Sequence, residues 1–582
     1  CDAYNQSAVR ELRKRKRRPD KPFALMMRDL DMVKEYCYIT PEKEEILTGI
    51  RKPILLLESK VSDRKRNSCS NKELDKEIQL SCDISPDNNH IGVMLPYTPL
   101  HELLFHNSEE REREASDAQF GINWQDNVSQ VENAKPGGNS LKALIMTSAN
   151  ISGLSLEYTN QGALKRLSKI ADYFLLHNRE IKIPVDDSVS QIVLGKERLI
   201  RRARGYAPLS IKFPGLKESL ACGSYLKNTI AMAKEEYIIL SQHLGDISNL
   251  ESYQHYTRAV AHFKKIYQIN PHIIAHDFHT GYLSSQFAQT QQEKKVRVQH
   301  HYAHIVSCMV DNEISEKVIG LAFDGTGLGT DDCIWGGEFL ICDYSRFKRI
   351  GQLEYVKMPG GEKAIKEPWR MAVSYLYHTY GVNLELIKKM ILFEDNKENN
   401  ERQVNKIIEL LKADINAPQT SSMGRFFDAV ASLLGLVNNI TYQAQAAIKL
   451  ETAAENAEKK SIHTVYNYQI DNNEGYFIVN TLPIIKCIVR DIEAGVSKEL
   501  IAGKFHKTVI DFSVSVCELI REKYQIDGVA LSGGVFQNAV ILEGIYKGLR
   551  EKGFKVYMHS RIPCNDGGLS VGQLVVANYM ND

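Results

Sequence analysis

The sequence predicts an α/β protein, and three observations carry that prediction. Two segments 98 residues apart share an outline of strand, tight glycine or polar turn, and strand. The first runs LeuAlaCysGly (220–223), then apolar strands at 229–233 and 237–240. The second runs ValIleGlyLeuAlaPhe (318–323), AspGlyThrGly, then GluPheLeuIleCys (338–342). A third unit, GlyValAlaLeuSerGlyGlyValPheGlnAsn (528–538), reads as a strand feeding a glycine turn and a helix. Strands alternating with long helices mark the α/β class, and the repeat implies two related lobes.

The elements before the repeat follow in order. Asn5 or Ser7 can cap a helix running to Arg18, with Ala8, Val9 and Leu12 on its apolar edge and ProAspLysProPhe ending it. PheAlaLeuMetMet (23–27) and ProIleLeuLeuLeu (53–57) read as short buried strands. Residues 58–90 and 106–139, dominated by Asn, Ser, Glu and Lys, read as surface insertions or mobile loops. Order returns at LeuIleMetThr (144–147), and a helical stretch from Gln161 leads to AspTyrPheLeuLeu (172–176). Two prolines and a glycine between Pro208 and Gly215 mark a boundary.

Composition narrows the function classes. At roughly 150 residues per domain, 582 residues imply about three or four folding units. The 73 Lys plus Arg against 72 Asp plus Glu leave a net charge of +1, so nucleic acid is not expected as a partner. No apolar run approaches the roughly 18 residues of a membrane span, and no apolar stretch follows the CysAspAlaTyrAsnGln start as in a signal peptide. A cytoplasmic chain without membrane contact is expected. The 11 cysteines include no C-x-x-C pair and read as reduced thiols.

GlnHisHisTyrAlaHis (299–304) is the sharpest local signal. His300 and His304, four apart on a helix, face the same way and can share one metal ion. Alone, such a pair reads more readily as a helix face capping a core; carboxylates joining it change the balance. No Glu stands between the two, which excludes HEXXH-type protease chemistry. Asp324 opens AspGlyThrGlyLeuGly (324–329) and Asp566 lies in CysAsnAspGlyGly (564–568). Two histidines with carboxylates suit zinc, iron or manganese, with positions open to phosphate oxygens. Glycine-flanked aspartates are also common turn residues.

SerGlyGlyValPheGlnAsn (532–538) delivers two glycines to a helix N-terminus, where N–H dipoles favour anions. It is neither a Walker A loop nor a G-x-G-x-x-G fingerprint, and a close packing turn is an equal reading. LysArgArgProAspLysPro (16–22) and ArgArgAlaArgGlyTyr (201–206) concentrate positive charge, while ThrSerAlaAsnIleSerGly (147–153) adds hydroxyls and an amide. Together they suit a phosphate and a purine or ribose. Without aromatics in the 10–21 run, a small anion is preferred over single-stranded nucleic acid.

These motifs stand in a telling order. Residues 1–212, through LysArgArgProAspLysPro, LeuProTyrThrProLeuHisGluLeuLeuPhe (95–105), ThrSerAlaAsnIleSerGly and ArgArgAlaArgGlyTyrAlaPro, resemble a YrdC-like α/β domain. Residues 213–315 and 316–582 resemble the two Kae/TsaD-like lobes of the actin–hexokinase–Hsp70 superfamily. The motifs are HisHisTyrAlaHis, AspGlyThrGlyLeuGly, IleTrpGlyGlyGluPhe (334–339), LysGluProTrpArg (366–370), PheAspAlaValAlaSerLeuLeuGly (427–435), SerGlyGlyValPheGlnAsn and AsnAspGlyGly. The fusion resembles the HypF family of hydrogenase-maturation carbamoyltransferases.

The resemblance implies that carbamoyl phosphate and ATP yield carbamoyl-adenylate, whose carbamoyl group passes to the C-terminal cysteine of HypE. It implies His300, His304, Asp324 and Asp566 as ligands of a divalent metal, zinc or iron, and as catalytic residues. It also implies nucleotide contacts at Asp428, Gly533, Gly534 and Asn538. In the YrdC-like domain it implies adenylate and phosphate contacts at Lys16, Arg18, Lys21, Ser148, Asn150 and Arg201, with magnesium accompanying ATP.

Two relatives with the same modules, an O-carbamoyltransferase and a tRNA threonylcarbamoyl transferase, are the alternatives, as is an inactive fragment that binds nucleotide or HypE. The family's acylphosphatase domain, C-x-x-C zinc modules and glycine-rich first strand have no counterpart in this sequence. The polypeptide alone is therefore expected not to use carbamoyl phosphate. Pro184 stands where the family has Arg, and TyrGlnAlaGlnAlaAla (442–447) where it has Tyr-Glu-Gly-Gln-Ala-Ala. Gln443 is expected to weaken ribose recognition, and Ala444 to bring a Cβ near the ligand.

Overall fold

The computed structural model describes residues 1–60, 80–105, 141–151, 153–391, 397–458 and 464–580. Most of the two polar insertions thus lies outside the described residues. In the described part of the first, 80–89 is turn and irregular backbone as read, but it is not all surface: Leu80 and Ile84 are buried, and residues 58 and 90 belong to the flanking strands. The chain divides into two compact units, residues 1–17 with 22–148, and residues 18–21 with 149–582.

In the first unit four strands lie in the order Ala143–Met146, Ala24–Met27, His90–Met94, Ile54–Glu58. The middle pair is parallel and the outer pairings are antiparallel. Leu25, Val93, Leu55 and Leu57 are fully buried, as continuous apolar runs of β-former side chains require. The helix Gln6–Lys16 is capped by Asn5, whose side chain accepts the N–H of Ala8 at 3.0 Å.

The second unit contains the hairpin Val189–Val193 and Lys196–Arg201 and two larger sheets. The helix Asn160–Arg166 forms as expected, but 172–176 has no regular structure and Tyr173 is 93% exposed. Both large sheets repeat one topology. Ser219–Ala221, Ala231–Lys234 and Tyr237–Leu240 form an antiparallel meander, and Ile273–Asp277 then Lys294–Val298 add in parallel beside its first strand. Val318–Leu328, Ile334–Cys342 and Phe347–Leu353 form the second meander, joined in the same way by Gly528–Ser532 and Lys555–Met558. The sequence repeat is therefore a repeat of fold.

After each fifth strand comes a helix, His300–Asp311 in one lobe and Leu569–Tyr579 in the other. The two pack on each other and fill the space between the sheets. Gly572 permits the approach: a Cβ there would stand 1.8 Å from the Ala303 carbonyl oxygen. Almost every side chain of both helices is buried, so polar residues on them need partners inside the protein.

One expected turn is absent. Pairing of Val318–Leu328 with Ile334–Cys342 runs to Phe323 opposite Gly337 and resumes at Gly327 opposite Trp335. AspGlyThrGly is thus a bulge within a continuing strand, and the chain reverses only after Leu328. A bulge re-aims a side chain without ending the strand. Here the side chain is that of Asp324.

Candidate metal and nucleotide site

The site forms where the parallel strands of both lobes end, the usual crevice of α/β sheets. His300 and His304 project from the first turns of their helix, both only 1% exposed. Asp324 comes from the bulge and Asp566 from the short turn before Leu569–Tyr579. One ligand atom from each of the four lies within 4.8 Å of the others. Nε2 of His300 and of His304 stand 3.3 and 3.2 Å from the same oxygen, Asp324 Oδ2. Asp566 Oδ1 lies 3.8 and 3.5 Å from them.

The donor set fits a divalent ion. His304 Nε2 is buried and, despite its nearness to Asp324, makes no hydrogen bond among the described residues. A buried imidazole nitrogen without a partner calls for an electrophile. Burial alone would raise both carboxyls and lower both imidazoles; their mutual attraction overrides it. Asp324 is held well below the usual carboxylate range and Asp566 below it, while His300 and His304 are raised.

Outer partners orient three of the four ligands. His300 Nδ1 meets Asp277 Oδ2 at 2.7 Å, with Asp277 completely buried at the end of Ile273–Asp277. This carboxylate–histidine pairing fixes which ring nitrogen faces the ion. Ser224 Oγ donates to Asp566 Oδ2 at 2.8 Å. Asp324 Oδ1 accepts the backbone N–H of Gly325 at 2.8 Å and of Gly534 at 3.1 Å. Sequence reading missed Asp277 and Ser224, since neither lies near a ligand along the chain.

Gly533 is at φ 106°, and a Cβ on it would sit 2.2 Å from the Phe323 carbonyl oxygen, so only glycine fits. Gly534 brings its N–H to the Asp324 carboxylate. The helix that follows, Ala539–Glu551, does not leave its N-terminus to a ligand. Glu451 Oε1 accepts the N–H of Ala539 at 2.6 Å, and Asn538 Oδ1 accepts that of Ile541 at 3.0 Å. Asn538 Nδ2 also pairs with His506 Nε2 at 3.0 Å. A carboxyl oxygen of the chain itself, from a residue 88 positions away in sequence, fills the position in which an anion was expected. Burial raises Glu451 to about 8. Asp428, on Met423–Leu433, is buried and raised to about 6, with Arg425 opposing the shift.

One polar network ties the loops together. Asn565 Nδ2 donates to the Ile200 carbonyl and to Gln537 Oε1, both at 2.9 Å, and its Oδ1 accepts the N–H of Gly567 at 2.9 Å. Gln191 Nε2 donates to the Gln537 carbonyl at 2.9 Å, and Arg198 to that of His559. The hairpin of residues 189–201 thereby braces both glycine loops.

The other candidate residues divide between the units. In the first, Lys16 is buried and its Nζ donates to the Ser148 carbonyl at 2.6 Å. In the second, Arg201 pairs with Asp186 at 2.7 Å, Arg18 Nε donates to the Lys21 carbonyl at 3.1 Å, and Asn150 Nδ2 to that of Leu154 at 2.7 Å. Burial, with Arg18 and Arg201 nearby, lowers Lys21 to about 8.

Ala444 takes φ 63°, the left-handed region that its Cβ disfavours. The Ala444→Gly variant, which restores the family's glycine, is expected to gain about 1 kcal/mol of stability in urea unfolding. An unchanged or lower midpoint would show that the Ala444 methyl group offsets the backbone strain.

Three sequence models of known families match in succession. They are described as "Telomere recombination" over residues 1–203, "HypF Kae1-like domain" over 215–311 and "Carbamoyltransferase, Kae1-like Domain, second subdomain" over 320–573. Carbamoyltransferase HypF of Synechocystis sp. is 36% identical, covering 99% of this chain and 69% of its own length. A crystal structure of full-length HypF in the phosphate- and nucleotide-bound form is 39% identical with a TM-score of 0.85, covering 99% of this chain and 82% of that one. The crystal structure of T. kodakarensis HypF is 31% identical with a TM-score of 0.84, covering 100% and 70%.

Proposed function

Since the chain belongs to the HypF family of carbamoyltransferases, we propose that it acts in the conversion of carbamoyl phosphate and ATP to carbamoyl-adenylate, this polypeptide by itself working from carbamate onward, and passes the carbamoyl group to the C-terminal cysteine of HypE. The acceptor thiol would then carry the precursor of a hydrogenase ligand. The observation that carries this reading is the juxtaposition of the four-ligand cluster with the Gly533–Gly534 loop, linked through the two oxygens of Asp324.

The balance of the reaction is simple. Hydrolysis of carbamoyl phosphate gives carbamate and phosphate; carbamate attacks the α-phosphate of ATP and expels pyrophosphate. The acceptor thiolate then attacks the carbamoyl carbon, and AMP leaves. A divalent ion bound by His300, His304, Asp324 and Asp566, zinc or iron by donor type, would polarise the oxygen on the reacting carbon or phosphorus. Asp277 holds the His300 ring in place through Nδ1. Gly534 and Gly325 N–H groups fix the Asp324 carboxylate. Burial of both histidines keeps bulk water from a mixed anhydride that hydrolyses readily. The resemblance to YrdC-like domains supports Lys16, Arg18, Lys21, Ser148, Asn150 and Arg201, each taken singly, as adenylate or phosphate contacts, with magnesium accompanying ATP.

ATP and a reduced acceptor thiol are both supplied by the cytoplasm. No described helix is long and apolar enough to cross a membrane. The test is mass spectrometry of HypE after incubation with the metal-loaded chain and ATP, in one arm with carbamoyl phosphate and in another with carbamate from ammonium bicarbonate. An adduct of about 43 Da on the C-terminal cysteine is expected in the carbamate arm, the carbamoyl group replacing the thiol proton. Absence of the adduct from both arms overturns the reading. An adduct in the carbamate arm alone assigns carbamoyl phosphate hydrolysis to another domain or protein.

A further inference from the structure

The nucleotide contacts that the family resemblance implies for the site in the Kae1-like lobes, the second site beside that of the YrdC-like domain, are Asp428, Gly533, Gly534 and Asn538; they include no cation, although a phosphate chain carries several negative charges. The structure places one beside them. Met423–Leu433 starts against the bulge: a Cβ on Gly424 would lie 2.8 Å from Gly325 Cα, and Ser422 Oγ stands 3.0 and 2.5 Å from the Asp324 and Gly325 carbonyl oxygens. Ser422 also caps the helix, accepting the Arg425 N–H at 3.1 Å. The Arg425 guanidinium turns toward this point, its Nη2 3.9 Å from where a Gly325 Cβ would be.

Arg425 is only 8% exposed, yet its hydrogen bonding is largely unmet. Nη2 stands 2.8 Å from Asp428 Oδ2, at an angle that leaves that oxygen without a hydrogen bond. Nε and Nη1 are buried and have no partner among the described residues. A guanidinium offers five N–H donors, and burying them unpaired is costly. Such a group in a native protein usually marks an absent ligand. The N-terminus of the same helix, packed beside Gly325, adds a positive dipole.

We propose that Arg425 is a phosphate-binding residue of the second site, taking an oxygen of the nucleotide's phosphate chain together with the N-terminus of Met423–Leu433. The proposal rests on the reading of this site as nucleotide-binding. It places the phosphate chain against the Gly325 side of the bulge, between the guanidinium and the Asp324 carboxylate that serves the ion. Asp428 then has two duties, aligning the guanidinium and accepting from a hydroxyl of the ligand.

Calorimetric titration of the full chain with ADP and with adenosine tests it, the second-site event being the one that Asp428→Asn weakens for both ligands. Arg425→Gln is expected to weaken ADP roughly 10–100-fold and leave adenosine unchanged, the loss of one or two charge-assisted hydrogen bonds. Arg425→Lys, which keeps the charge without the planar fork, should restore part of the affinity and serves as the folded variant if Arg425→Gln fails to fold. Unchanged ADP affinity overturns the inference, as does an equal loss for ADP and adenosine, which a purely structural ion pair predicts. If the unmutated chain shows no event sensitive to Asp428→Asn, the nucleotide reading of this site fails and the inference falls with it.

Discussion

Asp324→Asn is expected to empty the metal site and cut carbamoyl transfer about a thousandfold, while the fold persists. Asp324 Oδ2 is within 3.3 Å of both imidazoles, and no other described oxygen is so close to both. Its partner Oδ1 accepts two backbone N–H groups. Asparagine can keep an acceptor there, so Gly325 and Gly534 stay paired and the bulge is retained. What is lost is the anionic ligand. A Lewis acid contributes several kcal/mol to such a transition state, on the order of a thousandfold in rate. Metal analysis after dialysis, the rate of adduct formation on HypE and the melting temperature in chelator read the three effects separately. Full metal content in the variant would show that the ligand set is wrongly drawn. Loss of metal with undiminished transfer would separate the ion from the chemistry.

The histidine pair was legible because a helical spacing of four is local, and a helix was evident from its composition. Asp324 and Asp566 were visible by their glycines, although the first was read as a turn. Two backbone pairings decide between turn and bulge, Phe323 with Gly337 and Gly327 with Trp335, and neither is encoded within the four residues themselves. Asp277 and Glu451 were invisible for a related reason. A buried carboxylate reveals itself by its partner, and those partners are His300, 23 residues on, and Ala539, 88 residues on. Asn538 carried the opposite difficulty. Its place after a glycine loop suggested a ligand contact, but its side chain caps a helix and meets His506. The lobes were legible as a repeat because each strand order is fixed by local meanders. Their facing helices were not, since packing such as Gly572 against Ala303 joins residues far apart in sequence.

Asp277→Asn should alter metal binding in two separable ways, through orientation and through the proton that competes with the ion. An ordinary imidazole titrates near 6.5. In this chain burial pulls His300 down, but Asp277 first, then Asp324 and Asp566, more than reverse that pull and raise it well above the ordinary value. The metal takes neutral imidazole, so loading expels this proton and affinity climbs with pH until the raised value is passed. The metal-free fold behaves oppositely. A raised histidine contributes stability that is fully present below about 6.5 and is lost as pH rises through the folded value. Asp277 stands 2.7 Å from Nδ1, so its neutral analogue orients the ring less firmly and no longer holds the proton. Affinity at alkaline pH is expected to fall roughly 10–100-fold, the usual cost of losing an outer carboxylate. The pH at which affinity begins to level off should move down, because less proton competes. Competition against a chelating dye across the pH range measures both. A fall in affinity with no movement along the pH axis would mean that Asp277 acts on the geometry of His300 alone and leaves its charge to Asp324 and Asp566.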